Sequence, residues 1–446
     1  MLKEFHSRWT ELSLLIMAAA VFTITLVSLE LSQGNALTTE VLWIIGGFLG
    51  VLIGAHIVLC FLAPYSDQLM LPIVAVLNGI GLLMLARIDI AQDLSLASRQ
   101  VMWTMVGLVL FAAVLIIVRD HKVFTRFSYL FGVVGIVLLA LPLVWPQPPG
   151  AEARIWIWLG PFSVQPGEFS KILLLLFFAM LLVQKRSLFT VAGYRFLGIS
   201  LPRLRDLAPI LIVWGIAIII MGVSNDFGPA LLLFSTVLGM LFMATGRVSW
   251  LIIGIILVAI GATGIYMISD KIQDRFSNFL DPLANYDNTG YQLSQALFGM
   301  SSGGITGSGL GNGYPELVPV AHSDFILASI GEEFGLIGLS AVLILFALLV
   351  SRGFNTAMKV RDSYGKLVAG GLSLTVAIQI FVVTGGISAL LPMTGLTTPF
   401  ISAGGSALMA NYILLAILLR ISNTARRPQS EIAAPEDNAN VAEVRS

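Results

Sequence analysis

Apolar residues in this chain come in long, nearly unbroken runs, separated by short polar interruptions. The runs lie near residues 13–31, 42–62, 69–86, 100–118, 126–145, 169–184, 208–223, 228–245, 249–269, 325–350, 366–390 and 399–420. A run of about 18 residues or more, coiled as an α-helix, spans the hydrocarbon core of a bilayer. Strands of a membrane barrel would be shorter and would alternate in polarity, unlike these. The pattern predicts an all-α polytopic membrane protein with about twelve transmembrane helices. Two polar interruptions are long: Trp145 to Glu168, and Asp270 to Asp324 between the ninth and tenth runs. Loops longer than about 12–15 residues in compact proteins are functional or disordered. Phe276, Phe279, Leu280, Tyr291, Leu293, Leu297 and Phe298 argue that the second one folds. Within it "YQLSQALFGM" predicts a short helix at the membrane surface.

Composition agrees with this picture, at 57% hydrophobic and 11% charged, with 25 cationic against 25 acidic residues. Charge distribution adds an orientation. Counted with the N-terminus inside, 19 of the 25 Lys and Arg fall on inner segments and six on outer ones (Arg87, Arg99, Arg154, Lys171, Lys271, Arg275). That bias predicts cytoplasmic termini and an outward-facing 270–324 segment. The first run has no A-x-A-like site after it and reads as a retained helix. Residues 1–12 form a cytoplasmic lead, and 421–446 are polar and read as a disordered cytoplasmic tail. No internal repeat of two matched halves is visible. Cys60 is the single cysteine, and His6, His56, His121 and His322 are scattered, which excludes a disulfide framework and zinc spacing. The weak basic excess after the last run reflects topology, so nucleic acid is not an expected partner.

Two motifs fail on context. "GMSSG" fits G-x-S-x-G without the strand or triad histidine that a nucleophile elbow needs. "GSGLGNG" lacks the P-loop lysine and faces away from cytoplasmic ATP. Ionisable residues near the outer side say more. Glu332 and Glu333 lie within a spanning run, where an uncompensated carboxylate is costly and marks a functional site by default. Glu168 and Lys171 sit one turn apart at the start of another helix, where they can also simply pair with each other. With Arg154, Arg275, Asp226, Asp281, Asp287 and Asp324 they place cations and carboxylates on one side of the membrane. Cations neutralise a pyrophosphate and a carboxylate deprotonates a hydroxyl, so the set suits an anionic, lipid-attached molecule. These residues alone leave chemistry and transport both open.

Five segments, in order, resemble the SEDS family, the RodA/FtsW group: "WIWLGPFSVQPGEFSKI", "NDFGPALL", "TGYQLSQALFGMSSGGITGSGLGNG", "AHSDFILASIGEEFGLIG" and "LLPMTGLTTPFISAGGSALMANY". The resemblance covers residues 69–420 as a ten-helix core, with 270–324 as its extracytoplasmic catalytic loop and 13–68 as an added N-terminal pair. The wording of the loop leans towards the RodA side of the family. The resemblance implies a multi-pass protein of the bacterial plasma membrane that polymerises lipid II into β-1,4 glycan for elongation or division. It implies a single-pass class B penicillin-binding transpeptidase as partner, and Mg²⁺ or Mn²⁺ as a cation that can assist the leaving pyrophosphate.

The resemblance also implies an aspartate general base in the loop, at the position that here holds Asn285. Asp287 follows two residues later and is the first candidate, with Asp281 second; either can instead initiate a turn. By the same carry-over, Arg154, Trp156, Gln165, Glu168, Lys171, Asp226, Arg275, Tyr291, Gln292, His322, Asp324, Glu332, Ser402 and Ser406 are candidate substrate-binding residues. Relatives often carry a polar residue where Ile155 stands and a tyrosine where Ala403 stands. Two other readings remain: a lipid II flippase, and a non-catalytic scaffold for the transpeptidase. A flippase needs polar groups along a full crossing path, and these cluster on one side.

Overall fold

The computed structural model describes residues 8–148, 153–160, 162–190, 194–196, 199–201 and 204–428, with backbone alone over 186–210. Fifteen helices follow in chain order: α1 (Trp9–Ser32), α2 (Thr39–Leu62), α3 (Met70–Gln92), α4 (Leu96–Ile117), α5 (Val123–Arg126), α6 (Ser128–Val144), α7 (Pro166–Thr190), α8 (Leu204–Val223), α9 (Phe227–Thr245), α10 (Ser249–Ile268), α11 (Asp270–Leu280), α12 (Tyr291–Gly303), α13 (Ile326–Lys359), α14 (Ser363–Ile387) and α15 (Gly405–Arg426). A 3₁₀ turn covers Pro315–Leu317. The chain is an all-α, multi-pass membrane protein.

Among the described residues, ten helices are long and apolar enough to cross a membrane: α1, α2, α3, α4, α7, α9, α10, α13, α14 and α15. The other two expected spans are the shorter apolar helix α6 and the Leu211–Val223 part of α8. At about 1.5 Å per residue, a helix the length of α6 falls short of a ~30 Å hydrocarbon core. Its Pro142 sits in the last turn, where the chain leaves the helix for an extended Trp145. Two small antiparallel hairpins were not expected from the sequence: β1 (Ile157–Leu159) with β2 (Phe162–Val164), and β3 (Tyr194–Phe196) with β4 (Ile199–Leu201). The last helix runs to Arg426, beyond the boundary at 420 expected for the tail, and residues 429–446 lie outside the described ones.

The helices divide by burial into a centre and a rim. In α3 and α15, 89% of the apolar window is buried against protein, while in α10 only 6% is. An exposed apolar helix has lipid as its natural surroundings, so α10 belongs to the rim. The N-terminal pair packs onto the core, α1 on α3 and α2 on α4. Polar clasps fix that pair at both ends. Arg8 Nη1 donates to the Ala63 carbonyl at 3.1 Å, Arg420 Nη1 donates to the α2-terminal Leu62 carbonyl at 2.8 Å, and Gln33 Nε2 donates to the Gly311 carbonyl at 2.9 Å.

The 270–324 segment is folded. It carries α11, the expected helix α12 and the 3₁₀ turn. Helix α12 lies against α13 and buries Leu293, Ser294 and Ala296.

Candidate active site

The glycine-rich stretch after α12 serves a break in α13. Gly335, at φ 65° and ψ −168°, interrupts the helix after a fully buried first segment from Ile326 to Glu333. A helix broken at membrane depth exposes carbonyls on one side of the break and N–H groups on the other, each costly without a partner. Residues 304–309 supply those partners. Ser308 N and Gly309 N donate to the Glu332 and Glu333 carbonyls at 3.0 Å each. Leu336 N and Ile337 N donate to the Gly304 and Ile305 carbonyls at 2.9 and 3.1 Å. Gly307 makes this pairing sterically possible. Its φ is +89°, and a Cβ there would run into the Glu333 carbonyl.

The two carboxylates at the break hold the following loop. Glu332 Oε1 accepts from Tyr314 N at 2.8 Å, and Glu333 Oε2 accepts from Gly311 N at 3.2 Å. Arg87 of α3 donates through Nε to Glu333 Oε1 at 2.8 Å and through Nη2 to the Gly313 carbonyl at 2.6 Å. Glu332 and Glu333 therefore brace residues 303–316. Arg87, counted at first only as an outer cation, is the counterion.

A second charged group gathers beside this brace, on the face that carries the 270–324 segment. Helix α7 contributes Glu168 and Lys171, whose Oε2 and Nζ are 2.6 Å apart. Asp226 stands at the N-cap of α9. Helix α11 contributes Lys271 and Arg275, one turn apart, and Arg275 Nη1 donates to the Thr394 carbonyl at 3.1 Å. Asp324 lies just before α13 and accepts from Ser323 Oγ at 2.8 Å. The electrostatics show how tightly these groups are coupled. Burial, and then the Glu168 charge, push the Asp226 carboxyl up to about 7, against the opposing pull of Lys271 and Arg275. Burial also raises Asp324, opposed by Ser323, Arg275, His322 and Lys271. His322 is held low by burial, with Asp324 acting the other way and Arg99 reinforcing the drop. Lys271 was missing from the expected site. Its spacing of four from Arg275 on one helix was the available signal.

Other expected residues act as braces around this cluster. Ser402 Oγ donates to the Ser323 carbonyl at 2.6 Å and accepts from Thr398 N at 2.8 Å. Ser406 Oγ accepts from Gln165 N at 2.9 Å, which ties the β1–β2 hairpin to α15. Arg154 N donates to the carbonyl of Ser224, two residues before Asp226, at 3.1 Å, and Arg154 itself is exposed. The Trp156 carbonyl accepts from Gln147 at 2.9 Å, and Gln292 Nε2 donates to the Pro319 carbonyl at 2.6 Å. Tyr291 packs its ring against Tyr286 at 5.3 Å between centroids.

Asp281 and Asp287 sit on the turn that joins α11 to α12. Asp281 Oδ1 accepts from Ala284 N at 3.0 Å and so shapes the turn. Asn285 reaches back to α11, donating to Ser277 Oγ at 2.9 Å, and its carbonyl accepts from Gly290 N at 2.9 Å. Asp287 is exposed, and among the described residues no hydrogen bond or ion pair engages its carboxylate or links it to the charged cluster. Of the three positions, Asp287 alone presents an uncommitted carboxylate. Among the described residues, no three His, Cys, Asp or Glu side chains converge as a protein-only metal site. A hard cation such as Mg²⁺ needs only one or two carboxylates when a substrate's phosphates complete its shell, and an open carboxylate like Asp287 fits that use.

Comparison with known proteins places this arrangement. The family model of FtsW, RodA and SpoVE, described as cell cycle protein, matches residues 67–427. The chain belongs to this family. It is 47% identical over 429 residues to the peptidoglycan glycosyltransferase RodA of Mycobacterium tuberculosis (strain ATCC 25618 / H37Rv), covering 94% of this chain and 92% of that one. Stage V sporulation protein E of Bacillus subtilis (strain 168) is 30% identical over 375 residues, covering 81% and 98%. A solved chain from a peptidoglycan synthase complex that couples polymerization and crosslinking shares the fold, with a TM-score of 0.66 at 24% identity over 81% of this chain and 99% of that one. The crystal structure of Thermus thermophilus RodA aligns with a TM-score of 0.56 at 23% identity, covering 81% and 98%. The family match begins at residue 67, so α1 and α2 precede the shared core.

Proposed function

We propose that this chain is a peptidoglycan glycosyltransferase that polymerises lipid II on the outer face of the plasma membrane, with both termini in the cytoplasm. The observation that carries the mechanism is an uncommitted carboxylate, Asp287, on the turn that leaves the cation-bearing helix α11, whose Lys271 and Arg275 act on the half-buried carboxylates Asp226 and Asp324. The acceptor's sugar 4-hydroxyl attacks the anomeric carbon of the second substrate's MurNAc, and the polyprenyl pyrophosphate departs. Asp287 takes the hydroxyl proton; Lys271, Arg275 and Lys171 offset the charge that develops on the leaving group. One displacement at an α-linked donor gives the β-linked product. When Mg²⁺ or Mn²⁺ is bound, Asp287 and the pyrophosphate would hold it, and the cation would add Lewis-acid stabilisation of the leaving oxygen.

A single-pass class B penicillin-binding transpeptidase is the partner this reading implies. An apolar groove of about 980 Å³ runs between α13 and α14, lined by Leu343, Phe346, Val350, Ile380 and Phe381. That largely apolar groove, which also carries Ser351, Asn355 and Thr384, suits one spanning helix. The test is reconstitution in liposomes with the transpeptidase and labelled lipid II. Formation of glycan longer than the disaccharide supports the proposal. Movement of lipid II between leaflets without glycan would replace it with transport.

A further inference from the structure

An exposed carboxylate on a turn is an efficient base only if the turn is held, because a misplacement of about 1 Å costs on the order of 10²-fold in rate. The residues on either side of Asp287 show how this turn is held. Asn285 and Thr289 tie it to α11. Asn285 Nδ2 donates to Ser277 Oγ at 2.9 Å, Asn278 Nδ2 donates to the Thr289 carbonyl at 2.9 Å, and Thr289 Oγ1 donates to Asn278 Oδ1 at 3.1 Å. The turn closes on the Asn285 carbonyl, which accepts from Asn288 N at 3.0 Å and from Gly290 N at 2.9 Å. Gly290 permits this closure, since a Cβ there would run into the Pro282 and Asn285 carbonyls.

Those ties fix the turn to a helix that is itself weakly anchored. Helix α11 buries no residue, and it follows α10, the rim helix. Helix α12, by contrast, buries Leu293, Ser294 and Ala296 and lies against α13. A base held fixed relative to the core therefore needs a contact with α12. Tyr286 makes that contact from the position next to Asp287. Its hydroxyl accepts from Gln295 Nε2 at 2.8 Å. Its ring centroid lies 5.3 Å from that of Tyr291 and 6.2 Å from that of Phe298, both on α12. Ser294 Oγ makes a second tie at the start of the turn, donating to the Pro282 carbonyl at 3.0 Å.

The alternative is a ring that merely covers apolar surface. The hydroxyl bond argues against it, because Gln295 fixes where the ring ends and so the direction in which the next residue leaves α12. Tyr286 is half-buried and Asp287 is exposed, so one residue docks and its neighbour projects.

We propose that Tyr286 is the positioning residue for Asp287. Docked on Gln295, Tyr291 and Phe298, it holds the carboxylate at a fixed place relative to the core, while Asn285 and Thr289 keep the cation-bearing helix α11 in step with it. The inference rests on Asp287 as the base.

The test uses the full chain in liposomes with its transpeptidase and labelled lipid II. Tyr286→Ala should lower kcat about 100-fold with KM nearly unchanged, because a displaced base weakens the transition state rather than substrate binding. The double variant Tyr286→Ala, Asp287→Ala should be no slower than Asp287→Ala alone, since nothing is left to position. Hydrogen exchange gives a reading free of catalysis: the Asn288 and Gly290 amides should exchange about tenfold faster in Tyr286→Ala than in wild type. Tyr286→Phe and Gln295→Leu keep the ring stack and serve if the alanine variant melts early. Each should lose about threefold to tenfold in kcat, and together no more than either alone, because they remove one bond from its two ends. Wild-type kcat or exchange in folded Tyr286→Ala, wild-type kcat in both milder variants, or losses that multiply with Asp287→Ala overturn the inference and leave the base in place. Wild-type glycan synthesis by folded Asp287→Ala instead removes the base, and the inference with it.

Discussion

Arg87 is the strongest single point at which to disturb the loop, and its contacts set the size of the effect. The Arg87→Met substitution keeps the apolar stem but removes two bonds: Nε to Glu333 at 2.8 Å and Nη2 to the Gly313 carbonyl at 2.6 Å. Glu333, whose side chain has no exposure, would retain only the Gly311 N–H. A hydrogen bond to a charged group contributes about 1.5–3 kcal/mol, and breaking one side of a buried pair costs about 3–5 kcal/mol. Protonation of Glu333 limits the loss, so the lower end of that range, about 3 kcal/mol, is the expected value. The assay is hydrogen exchange by mass spectrometry in nanodiscs, reading peptides that cover 303–316. At about 1.4 kcal/mol per tenfold, the amides of Ser308, Gly309, Gly311 and Tyr314 should exchange roughly 100-fold faster than in wild type. The double variant Arg87→Met, Glu333→Gln removes both charges and should return protection to within about tenfold of wild type. Exchange in Arg87→Met within threefold of wild type would refute the brace.

Three further outcomes follow from the same geometry. Gly335→Ala forces a side chain into a glycine-only conformation against the Gly307 backbone, and should cost about 1–3 kcal/mol and lower the melting temperature by several degrees. Asp226, raised from 3.8 to about 7, keeps its proton in the folded state over a pH range where the unfolded chain has lost it. Stability therefore falls as pH rises from about 4 to about 7, and the fall should be shallower in Asp226→Asn when melting is compared at pH 5 and pH 8. Arg275→Ala removes a charge that the proposed reaction uses at the leaving group, together with the bond to Thr394, so glycan synthesis should fall by one to two orders of magnitude with the fold retained on melting.

The spanning segments were legible because a long apolar run suits little besides a bilayer: among the described residues, ten of the twelve expected runs fall on helices long and apolar enough to cross, and the other two on shorter apolar helices. The helix in "YQLSQALFGM" was legible because Leu293 and Leu297 repeat at helical spacing, and α12 covers them. The break in α13 was not. Gly335 looks in sequence like the other glycines of that run, and only the pairing of 304–309 with 332–337 gives it meaning. The glycine-rich stretch invited comparison with a phosphate loop because both expose backbone N–H groups; here Ser308 and Gly309 meet the protein's own carbonyls and Gly311 meets the Glu333 carboxylate. Arg87 and Glu333 are 246 positions apart, and no local pattern joins them. Asn285 and Asp287 differ by partners as well as by type: the amide is tied to Ser277 and the carboxylate extends from the turn.

The central claim concerns which carboxylate takes the proton. Lipid II polymerisation by the purified protein with its transpeptidase should be compared for wild type, Asp287→Ala, Asp281→Ala and Asn285→Ala, all four shown to be folded by melting. The account predicts that Asp287→Ala lowers the initial rate by about 10²–10⁴. Asp281→Ala and Asn285→Ala, which alter only the turn, should lose less than tenfold. Wild-type glycan synthesis by folded Asp287→Ala would contradict the account.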